Sequence, residues 1–314
     1  MVKPVARLLA GVLVLLIGGC GTLQTSAVLK MPPKQLPRQV ELVAVPFYAQ
    51  EDYQCGPAAL AMAMNAAGGA TDPEALRPEV YLPQRQGSLQ VEMLAAARRH
   101  GMVAYPLAPV LENLLAEVAD GTPVIVLQNL AFNWYPVWHY AVVIGYDLDR
   151  REVILRSGRE QRQALSLTTF ERTWARSGYW AMLALPPGRM PRSAEEIPFI
   201  SAVSALERAG HLQGARSAYF AATQHWPQSL AAQIGAGNTA YRMKNLVQAE
   251  ADFRRAVEVH PDAVAALNNL AQTLSDLGRD EEALPYAQRA VELGGPLNKV
   301  AQETLFGIKR KISQ

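Results

Sequence analysis

Three stretches of the chain place apolar and small residues at helical spacing and stop at glycine. They are "PAALAMAMNAAG" (Pro57 to Gly68), "SLQVEMLAAARRHG" (Ser88 to Gly101) and "LENLLAEVADG" (Leu111 to Gly121). Each predicts a helix, the second with Ser88 as its N-cap. Three other runs are β-branched and bounded by turn residues: Pro123 to Asn129, His139 to Asp147 and Glu152 to Ser157. These predict strands, and helices ahead of an antiparallel sheet predict an α+β domain over residues 41–185. After Leu185 the pattern changes. "PPGRMPRSAEE" (Pro186 to Glu196) reads as a linker, taken as 186–195, and nothing beyond it is strand-like.

The C-terminal third repeats itself. Pro227 and Pro261 lie 34 residues apart, with Pro296 one residue past the next step. In the same register Ala215, Ala249 and Ala283 coincide, as do Ala222, Ala256 and Ala290, with Tyr219, Phe253 and Ala287 between them. Ala202, Ala236 and Leu270 line up in the preceding helix. Small residues at shared positions let paired helices approach, and each pair must stack on its neighbour to bury its apolar face. This pattern resembles the tetratricopeptide repeat, in three copies at 196–229, 230–263 and 264–297, with a capping helix at 298–314. The first copy departs in having Val203 for the usual glycine, and the third in having Gly295 where the others have proline. The resemblance implies an all-α solenoid with a surface for a protein ligand.

At 314 residues the chain has room for two cores. Lys and Arg total 30 against 28 for Asp and Glu, so no net field draws nucleic acid or anionic lipid. The opening "MVKPVARLLAGVLVLLIGGC" sets Lys3 and Arg7 before an apolar run closed by small residues, the layout of an export signal over 1–20. Ile17-Gly18-Gly19-Cys20 resembles the bacterial lipobox, which implies that Cys20 carries lipid and fixes the chain to a membrane. Gly21 and Thr22 follow, with no aspartate, which in lipoproteins implies the periplasmic face of the outer membrane. Residues 21–40, with Pro32, Pro33 and Pro37, read as an extended tether.

Cys20 and Cys55 are the two cysteines, so a lipid on the first leaves the second unpaired in an exported protein. Pro57 belongs in a first helical turn, which sets Cys55 at a helix N-terminus, where the dipole favours thiolate. Three of the five histidines, His211, His225 and His260, fall in the repeats. His100 ends a helix beside Arg98 and Arg99, whereas His139 heads a strand after "FNWYPVW". Cysteine and histidine spacings fit no metal site, no cofactor is expected, and no G-x-x-x-x-G-K-[ST] loop occurs.

Gln50, "CGPAAL" from Cys55 to Leu60, and a histidine opening "HYAVVIGYD" about eighty residues later together resemble the papain-like cysteine peptidases that process bacteriocin leaders after a double glycine. The resemblance implies that Cys55 attacks the scissile carbonyl of a peptide or protein substrate. It makes His139 the proton carrier and Gln50 the oxyanion donor, in preference to Gln54. It also calls for an Asp or Asn on the following strand to orient the imidazole. Asp147 is eight residues along the strand from His139, about 26 Å at ~3.3 Å each, and belongs with Asp149 to the hairpin turn. Folding back from that turn brings Ser157 level with the histidine, within two residues of register. A serine there accepts the imidazole N–H but lends no charge, so activity weaker than with Asp, or absent, is expected; Gln128, Asn129 and Asn133 are left as substitutes. Trp134, Tyr135 and Trp138 either line a cleft or pack over the sheet. Three functions stay open: a lipid-anchored envelope peptidase, an inactive adaptor on the same fold, and acyl transfer to an amine by the same thiol.

Overall fold

The computed structural model describes residues 24–33, 35–50 and 54–314. The export signal and Cys20 lie outside these residues. Among the described residues, no helix is long and apolar enough to cross a membrane.

Seven strands form one antiparallel sheet: β1 (Gln39–Glu41), β4 (Val103–Pro106), β5 (Val124–Asn129), β6 (Trp138–Asp147), β7 (Glu152–Ser157), β8 (Glu160–Ser166) and β9 (Ala181–Leu185). Their order is β4-β9-β5-β6-β7-β8. The long strand β6 is the spine: its first half pairs with β5, its last three residues with β1, and its other edge with β7 across a slip between Val143 and Gly145. Gly145 admits the β1 backbone, for a Cβ there would stand 2.5 Å from the Val40 carbonyl.

The continuous apolar pattern of these strands has a direct cause: both faces of the sheet are covered. Val124, Val126, Ala141, Val143, Val153 and Leu155 point to one side, beneath α5 (Leu111–Ala119) and α6 (Leu167–Ala175). Ile125, Leu127, Tyr140, Val142, Ile144 and Ile154 point to the other, beneath α2 (Cys55–Ala66), α3 (Pro73–Val80) and α4 (Gln90–Arg99). Every residue of α2 from Gly56 to Met64 is buried, and its alanines let the helix lie close to the sheet and two neighbours while Leu60, Met62 and Met64 fill the space between.

Three expectations need correction. The segment assigned to an extended tether is folded from Gln24 onward. Residues Gln24–Lys30 form α1, whose first two N–H groups, on Gln24 and Thr25, donate to the fully buried Glu171 carboxylate at 2.6 and 2.7 Å, while Val28 enters the core. A helix N-terminus needs partners for its free N–H groups, and a buried acid 147 positions away supplies them, a pairing that no local pattern reveals. Ser88 does not cap α4; it pairs with Tyr81 in a two-stranded hairpin of β2 (Tyr81–Leu82) and β3 (Gly87–Ser88), and the helix starts at Gln90 without a side-chain cap. Strands β1, β4, β8 and β9, and helices α3 and α6, had no counterpart in the sequence reading.

Beyond the linker, seven helices follow at the expected period: α7 (Glu196–Arg208), α8 (Leu212–His225), α9 (Leu230–Arg242), α10 (Leu246–Val259), α11 (Val264–Asp276), α12 (Asp280–Leu293) and α13 (Asn298–Ile312). The aligned alanines 215, 249, 283, 222, 256 and 290 are all fully buried. Gly235 meets the Tyr219 ring face on, where an added Cβ would lie 2.4 Å away. The solenoid is docked, not merely tethered. Phe199 of α7 packs against Tyr105 of β4, ring centroids 6.3 Å apart, and against Trp226 at 5.9 Å. The linker is pinned by the buried Glu117, whose carboxylate accepts from the N–H groups of Arg192 and Ser193 and from the Ser193 hydroxyl. One hydrophobic core therefore runs from the sheet into the first two repeats.

Candidate active site

Cys55 is the first residue of α2, with Gln54 at the N-cap. The first intrahelical bond comes from Ala58 to the Gln54 carbonyl, so the N–H groups of Cys55 and Gly56 have no helical acceptor and Pro57 has no N–H to satisfy. Gly56 is required by packing: its missing Cβ would stand 2.2 Å from the Ser88 Oγ, so only glycine lets the β2–β3 hairpin close over the helix end.

The thiol opens into a cavity of about 870 Å³ that Gln50, His139, Tyr140 and Gly158 also line, with the β2–β3 hairpin on one side and residues 135–138 on the other. Among the four residues expected for chemistry, Cys55, His139 and Gln50 thus face one space, and Ser157 stands behind the histidine. His139 Nε2 lies 2.9 Å from the Ser157 Oγ. The two are diagonal neighbours across the β6–β7 pair, in which Val142 faces Arg156. With Nε2 held by the hydroxyl, Nδ1 is the nitrogen left for a reacting proton.

Gln50 is buried and held at both ends of its amide. Its Oε1 accepts from the Gly158 N–H at 2.9 Å, its Nε2 donates to the Tyr140 carbonyl at 3.3 Å, and its backbone N–H donates to the Gly158 carbonyl. One N–H of that Nε2 remains, and Gln50 lines the same cavity as the thiol. Gln54, the other candidate donor, is absent from the cavity wall.

The electrostatics differ from the sequence expectation of a thiolate. Burial pushes the Cys55 thiol above its ordinary pKa, and this outweighs the backbone groups of Tyr140, Gly56 and Cys55 itself, which favour the anion. Burial likewise holds His139 below its usual value. No hydrogen bond joins the two side chains among the described residues, and both shifts favour the neutral forms, thiol and imidazole. Desolvation disfavours the charged form of each group.

The residues left as substitutes for an acid are engaged elsewhere. Gln128 donates to the Thr173 hydroxyl at 2.6 Å, Asn129 ties the neck of the β5–β6 loop by accepting from Ala131 and Val137, and Asn133 is exposed. Asp147 accepts from the N–H groups of Asp149 and Arg150 in the β6–β7 turn. Of the aromatic trio, Tyr135 and Trp138 line the cavity, Trp134 is 82% exposed, and none packs over the sheet. Sequence reasoning missed Tyr140, Gly158 and Ser88 as parts of the site. Tyr140, next to His139, was the one within reach of the motif. Among the described residues, no group of three or more His, Cys, Asp or Glu gathers as a metal site would.

The comparisons with known proteins divide along the same boundary. Residues 42–182 match the model of the Peptidase_C39 like family, and residues 228–294 match the tetratricopeptide repeat. Among solved structures, a putative C39-like peptidase from Bacillus anthracis is 21% identical, over 46% of this chain and 96% of that one, with a TM-score of 0.39. YrrB, a TPR protein with an unusual peptide-binding site, is 27% identical over 35% of this chain, TM-score 0.33, and the match spans 57% of its length. The first TPR of Spaghetti (RPAP3), solved with an HSP90 peptide, is 20% identical over 38% of this chain and 96% of its own, TM-score 0.36. No curated protein matches the chain. The chain carries an α+β Peptidase_C39-like domain followed by an all-helical tetratricopeptide repeat region.

Proposed function

We propose that the protein is a cysteine peptidase of the bacterial cell envelope, anchored by lipid on Cys20 at the periplasmic face of the outer membrane, with a repeat domain that recruits a protein to it. The observation that carries the peptidase reading is the shared cavity of Cys55, His139 and Gln50 at the N-terminus of a buried helix. In this reading the His139 Nδ1 removes the thiol proton as Sγ bonds to the scissile carbonyl carbon. The displaced electron pair moves to the carbonyl oxygen, where the free Nε2 hydrogen of Gln50 and the backbone N–H of Cys55 receive it. Collapse breaks the C–N bond, the amine leaves with the proton from His139, and water opens the thioester with the same imidazole as base. Ser157 orients the ring without charging it.

A second reading, an inactive adaptor, is favoured by one feature: Ser157 gives imidazolium no anionic partner, and the resting pair is neutral. The two are separated by incubating the chain with a mixture of peptides and sequencing newly formed amino termini, with Cys55→Ala alongside. New termini that vanish in Cys55→Ala are expected. A folded wild-type protein that forms none sinks hydrolysis and leaves the adaptor. Lipidation is tested separately by labelling cells with a clickable fatty acid, which should mark the wild type and not Cys20→Ser.

A further inference from the structure

The β5–β6 connection displays Leu130, Phe132, Trp134, Tyr135, Val137 and Trp138 to solvent, between 46% and 82% exposed. No charged residue occurs from Gln128 to Trp138. The loop is also built to hold this display. The Asn129 carboxamide oxygen accepts from Ala131 and Val137 across its neck at 3.1 and 3.0 Å, and Arg176 donates to the Asn129 and Ala131 carbonyls at its base. Phe132 stacks on Trp134 at 5.5 Å, and Trp134 leans on Tyr135 at 6.2 Å. Tyr135, Val137 and Trp138 line the cavity, whereas Phe132 and Trp134 do not, so substrate in the cleft leaves Trp134, the most exposed ring, and Phe132 uncovered.

We propose that this loop inserts its aromatic tip into the surface of a lipid bilayer. The composition fits that partner. Tryptophan and tyrosine concentrate at membrane interfaces, where an apolar ring body and a polar N–H or O–H are both satisfied, and a charge-free tip has no ion to desolvate. The position fits as well. The loop sits at the end of the sheet where β5 ends, β6 and β9 begin and β4 ends. Gln24, the first described residue, is at that same end, its side chain bridging the Pro109 carbonyl at 3.1 Å and the Leu111 N–H at 2.6 Å. Across the sheet, two to three strand spacings, on the order of 10–15 Å, separate the end of β4 from the loop, whose neck at Asn129 stands four residues further along than Ile125, which is level with Pro106 through Met182. Cys20 lies four residues before Gln24, a reach of about 14 Å in extended chain. In this arrangement lipid at Cys20 and the aromatic tip address one bilayer, and two contacts fix an orientation that one anchor leaves free.

The reach argument rests on lipid at Cys20; the test does not. The full chain is bound to vesicles of phosphatidylethanolamine and phosphatidylglycerol, with and without phosphatidylcholine brominated near the headgroup end of its acyl chains. Tryptophan emission is then read. Two of the five tryptophans are in the loop and none precedes residue 134, so quenching reports the loop and not the N-terminal segment. Brominated lipid is expected to quench the wild type, and Trp134→Phe is expected to remove most of that quenching. Equal emission in both vesicle types from bound protein overturns the proposal while leaving the lipid anchor standing. Quenching unchanged by Trp134→Phe also overturns it, as does a dimer in sedimentation that Trp134→Ser dissolves, since the loop would then be covered by a second copy.

Discussion

Ser157 and Cys55 show how the surroundings of a side chain decide its chemistry. The sequence places a hydroxyl where an acid is expected, and the structure sets it 2.9 Å from His139. A carboxylate at that position would stabilise the imidazolium formed as the thiol gives up its proton. Ser157→Asp is therefore expected to raise the rate of Cys55 alkylation by about tenfold or more at neutral pH, the equivalent of one pKa unit. An unchanged rate would mean His139 is not the base. The pH dependence follows from the two directions of shift. Burial raises the thiol and lowers the imidazole, so both are neutral at pH 7, and thiolate accumulates only above the free cysteine value of roughly 8.5. Iodoacetamide labelling of Cys55 should keep climbing past that pH. A midpoint well below it would establish a thiolate–imidazolium pair and contradict the neutral resting state. The Gln50, Cys55, His139 order was legible because each lies in or beside a recognisable local pattern. The charge state was not, because desolvation depends on α2 being buried on all sides.

At the scale of elements, two glycines carry close approaches. Gly56→Ala places a methyl group 2.2 Å from the Ser88 Oγ and must push the β2–β3 hairpin off the end of α2, widening one wall of the cavity. Overpacking of this kind costs about 1–3 kcal/mol, and slower Cys55 alkylation than expected from stability alone would locate the damage at the site. Gly235→Ala drives a methyl into the Tyr219 ring, 2.4 Å away, and is expected to cost a similar ~1–3 kcal/mol in denaturant unfolding while leaving Cys55 alkylation unaltered. The helical repeat region was legible because each repeat carries the small residues of the one before it at a fixed 34-residue spacing. The short strands of the first domain were not. Val103–Pro106 and Ala181–Leu185 become strands by pairing with each other across some eighty residues, the second also with β5, which leaves no periodic signature in four or five positions.

For the whole molecule, the core shared by the sheet and the first two repeats couples the repeat region to the sheet domain, and the two are expected to unfold together. Phe199, fully buried between Tyr105 and Trp226, is the keystone of that core, and Phe199→Ala is expected to cost about 3–5 kcal/mol. Wild-type calorimetry should show one transition, and two in the wild type would mean the domains are independent. Composition and period were enough by themselves to set two architectures in order, an α+β domain and then a helical array, because apolar spacing and repeated small residues are properties of local sequence. Tertiary structure alone decided that the segment from Gln24 folds back onto Glu171, that the two domains share a core, and that thiol and imidazole rest uncharged. Each depends on groups far apart in the chain meeting in a medium from which water is excluded, and no local pattern encodes that meeting.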